Sequence, residues 1–152
     1  MHKLTRLFII LVLTGFSLNP AHADGADNAG KKSPMAPYQE LISDEKYQQA
    51  ITELEKALLD DPDNADMLNL LAYSQRKLMH FDIAMDYYQQ ALSIEPQHRG
   101  ANEYLGELYL QLGQPDKAEE RLQVLDKECF FGCDEFDELE AAIAEYRKQN
   151  PS

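Results

Sequence analysis

The sequence repeats with a period of 34 residues, and this period limits the fold more than any other feature of the chain. Residues of similar size and polarity return at the same offset in successive stretches. The columns are Ala50, Ala84 and Ala118; Tyr47, Phe81 and Pro115; Leu54, Tyr88 and Leu122; and Pro62 and Pro96. A fixed period of this length is typical of stacked supersecondary units. The chain is therefore predicted to fold as a short solenoid.

Each repeat unit is predicted to contain two helices. In the central unit, apolar residues recur at three- and four-residue steps over residues 65–79 and again over residues 81–94. Asp63 or Asn64 can cap the first of these helices, because a short polar side chain accepts a hydrogen bond from the first turn. Pro96 ends the second helix, because proline cannot donate to the helical ladder.

These residues resemble the tetratricopeptide repeat, whose pattern combines Leu and Ala or Gly in the first helix with Ala, an aromatic residue, Ala and Pro around the second. The central unit matches through Leu68, Leu71, Ala72, Ala84, Tyr88, Ala91 and Pro96. It departs from the pattern at Gln75, where Tyr is usual, and at Met79, where Gly is usual. The third unit matches through Leu105, Gly106, Tyr109, Gly113 and Ala118. It departs at Asn102 and has Phe130 in place of the closing proline.

The resemblance implies an all-α fold, a short right-handed α-solenoid of about three helix pairs followed by a C-terminal capping helix. The repeats are expected over residues 38–130, divided into a partial unit at 38–64 and fuller units at 65–98 and 99–130. The capping helix is expected over residues 134–149, with Asp134 as its N-cap, and would seal the last apolar face. The end of the chain also resembles the tail of small exported bacterial repeat proteins.

The first 37 residues are predicted to lie outside the repeats. Residues 1–23 have the features of a cleaved export signal, because Lys3 and Arg6 precede a short uncharged apolar run and an Ala-His-Ala site follows. The run is shorter than the roughly 20 residues that a permanent membrane helix needs. Residues 24–37 are expected to form a flexible leader. The expected location is periplasmic or secreted, with no membrane attachment after cleavage.

The formal net charge of −13 at pH 7 limits the classes of partner. Nucleic acid is disfavoured because its phosphates need Lys and Arg side chains to displace their counterions. Anionic lipid surfaces are disfavoured because their charge has the same sign. The hydrophobic content of 44% argues against wholesale disorder. A protein or peptide is the expected partner, and no cofactor is expected.

Cys129 and Cys133 are the only cysteines, in the sequence Cys-Phe-Phe-Gly-Cys. A close pair in an exported protein favours a structural disulfide, and Gly132 would allow the tight turn that so small a ring requires. The alternative is a redox-active pair, in which the start of the next helix lowers the pKa of the Cys133 thiol. Nearby carboxylates disfavour a thiolate, and a zinc site would need two more ligands.

No group of residues forms a recognisable catalytic constellation. His80 and His98 are the histidines that remain after the signal, and both are expected to be solvated turn residues without a nucleophile motif beside them. The acidic residues at 60–66 lack the spacing and the glycine of a calcium loop. The chain is therefore predicted not to be an enzyme and to hold no metal.

The resemblance also implies a partner-binding groove, because the first helices of tetratricopeptide units line the concave side of the solenoid. The groove residues expected from it are Asp66, Asn69, Tyr73, Arg76, Lys77, Glu103, Glu107, Leu110 and Gln111. Asn69, Tyr73 and Arg76 step by four and three residues and so share one helix face. Arg76 and Lys77 are expected to form a local basic spot that receives an acidic group.

Two classes of function follow from the sequence. The leading hypothesis is a non-catalytic adaptor or scaffold in the bacterial cell envelope, which binds a peptide or protein in the groove. The alternative is an accessory thiol-disulfide protein that uses Cys129 and Cys133.

Overall fold

The structure, a computed structural model, describes residues 33–151. Within this range the chain forms seven α-helices and no strand. The helices are α1 (Ala36–Ser43), α2 (Tyr47–Ala57), α3 (Ala65–Lys77), α4 (Phe81–Ile94), α5 (Arg99–Gln111), α6 (Pro115–Glu128) and α7 (Asp134–Gln149). The prediction of an all-α fold is therefore confirmed. The expected export signal at residues 1–23 and residues 24–32 of the expected leader lie outside the described residues.

The first six helices pack as consecutive pairs, α1 with α2, α3 with α4 and α5 with α6. Each pair also contacts the next one, and the first helices α1, α3, α5 and α7 follow one another along the stack. α7 has no second helix after it in the described residues and packs on both α5 and α6. This arrangement confirms the predicted solenoid of three helix pairs with a C-terminal capping helix.

The alanines that recur every 34 residues, called the alanine column here, lie in the core of the stack. Ala50, Ala84 and Ala118 have no exposed surface, and each belongs to a different apolar cluster along the solenoid. Ala84 shares the central cluster with Ala72 and Tyr88, which are also fully buried. Because alanine carries no atom beyond Cβ, α3 and α4 can approach closely at these positions, and the large Tyr88 side chain fills the space beside them.

α7 continues the repeat as the first helix of a fourth unit. Leu139 stands at the same offset as Leu71 and Leu105, and all three side chains are buried. Leu139 packs directly onto Gly106, where an added Cβ would lie 2.6 Å from one of the Leu139 methyl groups. α5 and α7 can therefore lie this close together only because residue 106 has no side chain.

The turns inside the three helix pairs share a residue in the left-handed region of backbone space. Glu45, Met79 and Gly113 stand 34 residues apart and have φ angles of 58°, 64° and 72°. A residue other than glycine adopts this conformation at a cost of roughly 1–2 kcal/mol. Met79 thus departs from the family pattern in residue type, while the shape of the backbone is kept.

The structure confirms one of the predicted helix caps and contradicts another. Asn64 caps α3, because its side-chain Oδ1 accepts a hydrogen bond of 3.0 Å from the Met67 backbone N–H. The expected N-cap at Asp134 is wrong: Asp134 is the first residue of α7, and Cys133 takes the cap position without a side-chain hydrogen bond. The disulfide of Cys133 fixes this residue in extended backbone immediately before the helix.

The first pair begins two residues before the predicted start of the repeats at residue 38. α1 starts at Ala36, inside the stretch expected to be a flexible leader, and Met35 before it is buried. Pro37 lies in the first turn of α1, where the missing N–H of proline has no helical partner to lose. The first helix of this pair is short, at eight residues, compared with 13 in α3.

Candidate functional site

The side of the stack formed by α3, α5 and α7 is called the inner face here. The expected groove residues that line cavities on it are Asn69, Arg76, Glu103, Glu107, Leu110 and Gln111, whereas Asp66 lines a separate cavity. Two cavities open on it. The acidic cavity, of about 320 Å³, is bordered by Asn69 and Glu103 and by carboxylates of α7. The Tyr146 cavity has about 370 Å³. Its lining residues are Arg76, Glu107, Leu110, Gln111, Ala142, Glu145, Tyr146 and Gln149.

A row of aromatic rings connects the repeats beside these cavities. The ring of Tyr73 lies 6.5 Å from that of Tyr47 and 4.8 Å from that of Tyr104, measured between centroids. The guanidinium of Arg76 lies 5.3 Å from the Tyr73 ring and 5.6 Å from the Tyr104 ring. Lys77 lies at 5.7 Å from Tyr47 and 5.9 Å from Tyr73. The row therefore holds the two cations by cation–π contacts.

Arg76 is a buried structural cation, and this corrects the expected basic spot. Its side chain is 7% exposed and forms a 2.6 Å ion pair with Glu107. Burial acts to lower the pKa of Arg76, but its interactions with the fully buried Tyr88 and with Glu107 outweigh that effect and raise it. Glu107 therefore already neutralises the charge of Arg76. Of the two residues expected to form the basic spot, Lys77 is the one with an exposed side chain.

Glu103 and Asn69 are also more buried than surface contact residues would be. Glu103 is 2% exposed and Asn69 is 6% exposed. Burial raises the pKa of Glu103 to about 9, helped by a side-chain hydrogen bond with Glu138 and by repulsion from Glu138, Glu107 and Glu135. A protonated Glu103 can donate this hydrogen bond to the Glu138 carboxylate, which explains how two carboxyl groups lie side by side.

His98 is not the solvated turn residue that the sequence suggests. It is buried at the start of α5, where its Nδ1 accepts a 3.1 Å hydrogen bond from the Ala101 backbone N–H. Its Nε2 lies 3.1 Å from Oδ1 of Asp66, so the ring proton sits on Nε2 and is donated to this carboxylate. Asp66 of α3, an expected groove residue, thus fixes the start of α5. His80 is exposed, as expected, and bonds to Gln75.

Cys129 and Cys133 form a disulfide with their Cα atoms 5.5 Å apart, and Gly132 between them has a φ of +87°. The structural and the redox interpretations both require this bond, so the redox interpretation stays a hypothesis. The ring exposes two aromatic side chains, Phe130 at 84% and Phe131 at 97%. Sequence reasoning missed this feature, although a five-residue ring leaves its central side chains no room to turn inward.

The described residues contain neither a metal-binding cluster nor a membrane-spanning helix. Within residues 33–151, no group of three or more His, Cys, Asp or Glu side chains is arranged to hold a metal ion. In the same part of the chain, every helix is too short or too polar to cross a bilayer.

Two family models described as tetratricopeptide repeat match this chain, one over residues 39–78 and the other over residues 79–143. Stacked helix pairs with an inner face are the arrangement that such repeats build. The chain belongs to the tetratricopeptide repeat family and is a protein-interaction module. The comparison with curated proteins gave no match.

Similar solved structures include a tetratricopeptide repeat protein from Parabacteroides merdae, with a TM-score of 0.63, 21% identity, and coverage of 76% of this chain and 44% of that one. The chain therefore spans less than half the length of that protein. The type III secretion translocator chaperone SycD of Yersinia enterocolitica has a TM-score of 0.62 and 17% identity, over 78% of this chain and 92% of its own. The structure of SycD in complex with a peptide of the translocator YopD has a TM-score of 0.62 and 18% identity, over 75% of this chain and 86% of its own. These identities show a common fold.

Proposed function

We propose that this chain is a non-catalytic binding module of the bacterial cell envelope, which holds a peptide segment of a protein partner on its inner face. The observation that carries the proposal is the Tyr146 cavity, which α3, α5 and α7 form together. Its floor is partly apolar, with Leu110 and Ala142, and its rim carries exposed amides at Gln111 and Gln149. An apolar floor with a few polar groups around it suits a peptide, whose backbone needs hydrogen-bond partners.

Two further observations support this proposal. The structural likeness to SycD, which was solved with a bound peptide, extends over most of the described residues. In addition, neither cavity of the inner face is lined by a serine, threonine or cysteine, within the part of the chain that the structure describes. A serine- or cysteine-hydrolase mechanism on this face would need such a nucleophile.

The envelope location rests on residues 1–23 and has its own test. We expect the exported protein to begin at Asp24, because the Ala-His-Ala site after the short apolar run has the small-x-small pattern that signal peptidase accepts. N-terminal sequencing of protein recovered from the periplasm or the medium checks this result. A recovered chain that still begins at Met1 would contradict it.

The binding face is tested by filling the Tyr146 cavity. We expect Ala142→Leu to weaken partner binding about tenfold or more, because the added methyl groups occupy the floor of the cavity. The partner is first captured from a periplasmic extract of the host with the wild-type protein and identified by mass spectrometry. Its affinity for each variant is then measured by calorimetry, with circular dichroism to confirm an unchanged helix content.

Ala141→Leu is the matched control for this experiment. Ala141 adjoins Ala142 in α7 but lines a separate cavity of about 570 Å³ between α6 and α7. We expect its substitution to leave the affinity unchanged. If Ala141→Leu weakens binding and Ala142→Leu does not, the partner binds between α6 and α7 and the proposed face is wrong.

A further inference from the structure

The acidic cavity contains two buried hydrogen-bond acceptors that lack a partner. These are Oδ1 of Asn69 and Oε1 of Glu103, on side chains that are 6% and 2% exposed. Neither oxygen receives a hydrogen bond, since the bond between Glu103 and Glu138 is one that the protonated Glu103 donates. They come from α3 and α5, which meet at this point of the inner face. A buried acceptor without a donor costs free energy, so two in one cavity indicate that a donor is missing.

The charges around the cavity indicate the kind of donor. Three further carboxylates line it, Asp134, Glu135 and Glu138, all in the first two turns of α7. No lysine or arginine is among the described residues that line it. Repulsion among the carboxyl groups contributes to holding Glu103 in its neutral form. A group that donates N–H bonds and carries positive charge would satisfy the acceptors and offset the repulsion together.

We propose that the acidic cavity binds the guanidinium group of an arginine side chain presented by the protein partner. This inference rests on the proposed function and names a chemical feature of the peptide that the inner face binds. It does not involve the Tyr146 cavity, so the two proposals can fail separately.

A guanidinium suits this cavity because of its shape as well as its charge. Its planar fork of five N–H donors can reach acceptors on two helices at once, here Asn69 and Glu103. Tyr104 also lines the cavity and offers an aromatic ring, on which a guanidinium can stack. The same ring already lies 5.6 Å from the guanidinium of Arg76.

Binding should release a proton. Glu103 is neutral in the free protein, and a bound cation favours its ionised form, so its proton passes to the solvent. Affinity should then rise with pH by up to about tenfold per pH unit below the pKa of Glu103. The other titratable or charged groups around Glu103 are Tyr104 and Glu107 on α5, Arg76 on α3, the Asp66–His98 pair, and Asp134, Glu135 and Glu138 on α7.

The test is an NMR titration of the purified protein with N-acetyl-arginine amide. We expect saturable shifts of the side-chain amide of Asn69 and of backbone amides around residues 100–104 and 134–138. N-acetyl-citrulline amide, which has nearly the same shape without the charge, should bind at least tenfold more weakly. Glu103→Gln should weaken arginine binding by a similar factor and remove its pH dependence. Glu120→Gln, the same substitution at an exposed residue of α6, should leave binding unchanged.

Several results would overturn the inference. Equal binding of the citrulline probe would show that charge is not recognised, and equal weakening by Glu120→Gln would show a diffuse attraction to the acidic surface. Tighter binding of N-acetyl-lysine amide, or saturable shifts of the same signals with calcium alone, would assign the cavity to another cation. A failed titration combined with loss of the partner in Ala142→Leu would reject the arginine site and leave the proposed function standing.

Discussion

Ala84→Leu is expected to lower the free energy of unfolding by about 3 kcal/mol, and to unfold the domain outright if its stability is marginal. Ala84 has no exposed surface and lies where α4 packs on α3, next to the fully buried Ala72 and Tyr88. Three added carbon atoms have no cavity to enter at a close helix crossing, so the helices must separate. The neighbouring repeats would lose support as well, because each unit of a solenoid is stabilised by the interfaces with its neighbours.

The measurement is thermal or urea unfolding of the wild type and the variant, followed by circular dichroism. A loss of this size should lower the melting temperature by roughly 10 °C in a domain of this length. Gln89→Leu is the control, because it places the same side chain on the exposed face of the same helix and should change stability by less than about 0.5 kcal/mol. An unchanged melting temperature of Ala84→Leu would mean that the helices do not cross at the alanine column.

Glu103→Gln is expected to stabilise the protein, and by more as the pH rises. Burial raises the pKa of Glu103 to about 9, against an ordinary value of 4.5. Between these two values the folded chain keeps a proton that the unfolded chain has lost, so the stability of the wild type falls as the pH increases through this window. Glutamine cannot ionise and still donates a hydrogen bond to Glu138. The stability of the variant should therefore not fall in this way as the pH rises.

Unfolding free energies measured between pH 4 and pH 8 check this prediction. The two proteins should be about equally stable near pH 4. At pH 8 the free energy of unfolding of the variant should exceed that of the wild type by on the order of 1–3 kcal/mol. Glu120→Gln is the control, because that carboxylate is exposed and its removal should leave no comparable pH-dependent difference. A Glu103→Gln variant that is less stable than the wild type at pH 8 would show that Glu103 is ionised in the folded protein.

The repeat architecture could be predicted from the sequence because it rests on residue size and spacing. Ala50, Ala84 and Ala118 mark the helix crossings by their small volume, and the structure buries all three completely. Cys129 and Cys133 are close enough in sequence for their pairing to be proposed without a structure. The solenoid and its capping helix follow from such local patterns, since each unit contacts mainly its neighbours.

The backbone of the turns was decided by the stacking of the helices. Glycine at position 113 predicts a left-handed turn. Glu45 and Met79 adopt the same conformation, although neither is the residue type that favours it. The local cost is offset by the packing of the helices on either side, which requires the same turn in every unit. Residue type alone therefore could not reveal these two positions.

The character of the inner face was also decided only by the tertiary structure. In the sequence, Arg76 is a free cation on a groove helix and Glu103 is one of many surface carboxylates. The structure pairs Arg76 with Glu107 of the next unit and buries Glu103 against Glu138 of α7. Each partner lies about one repeat away in sequence and comes close only when the units stack. Spacing within one helix predicts which residues share a face, but the charge and protonation of that face depend on what the neighbouring helices place beside it.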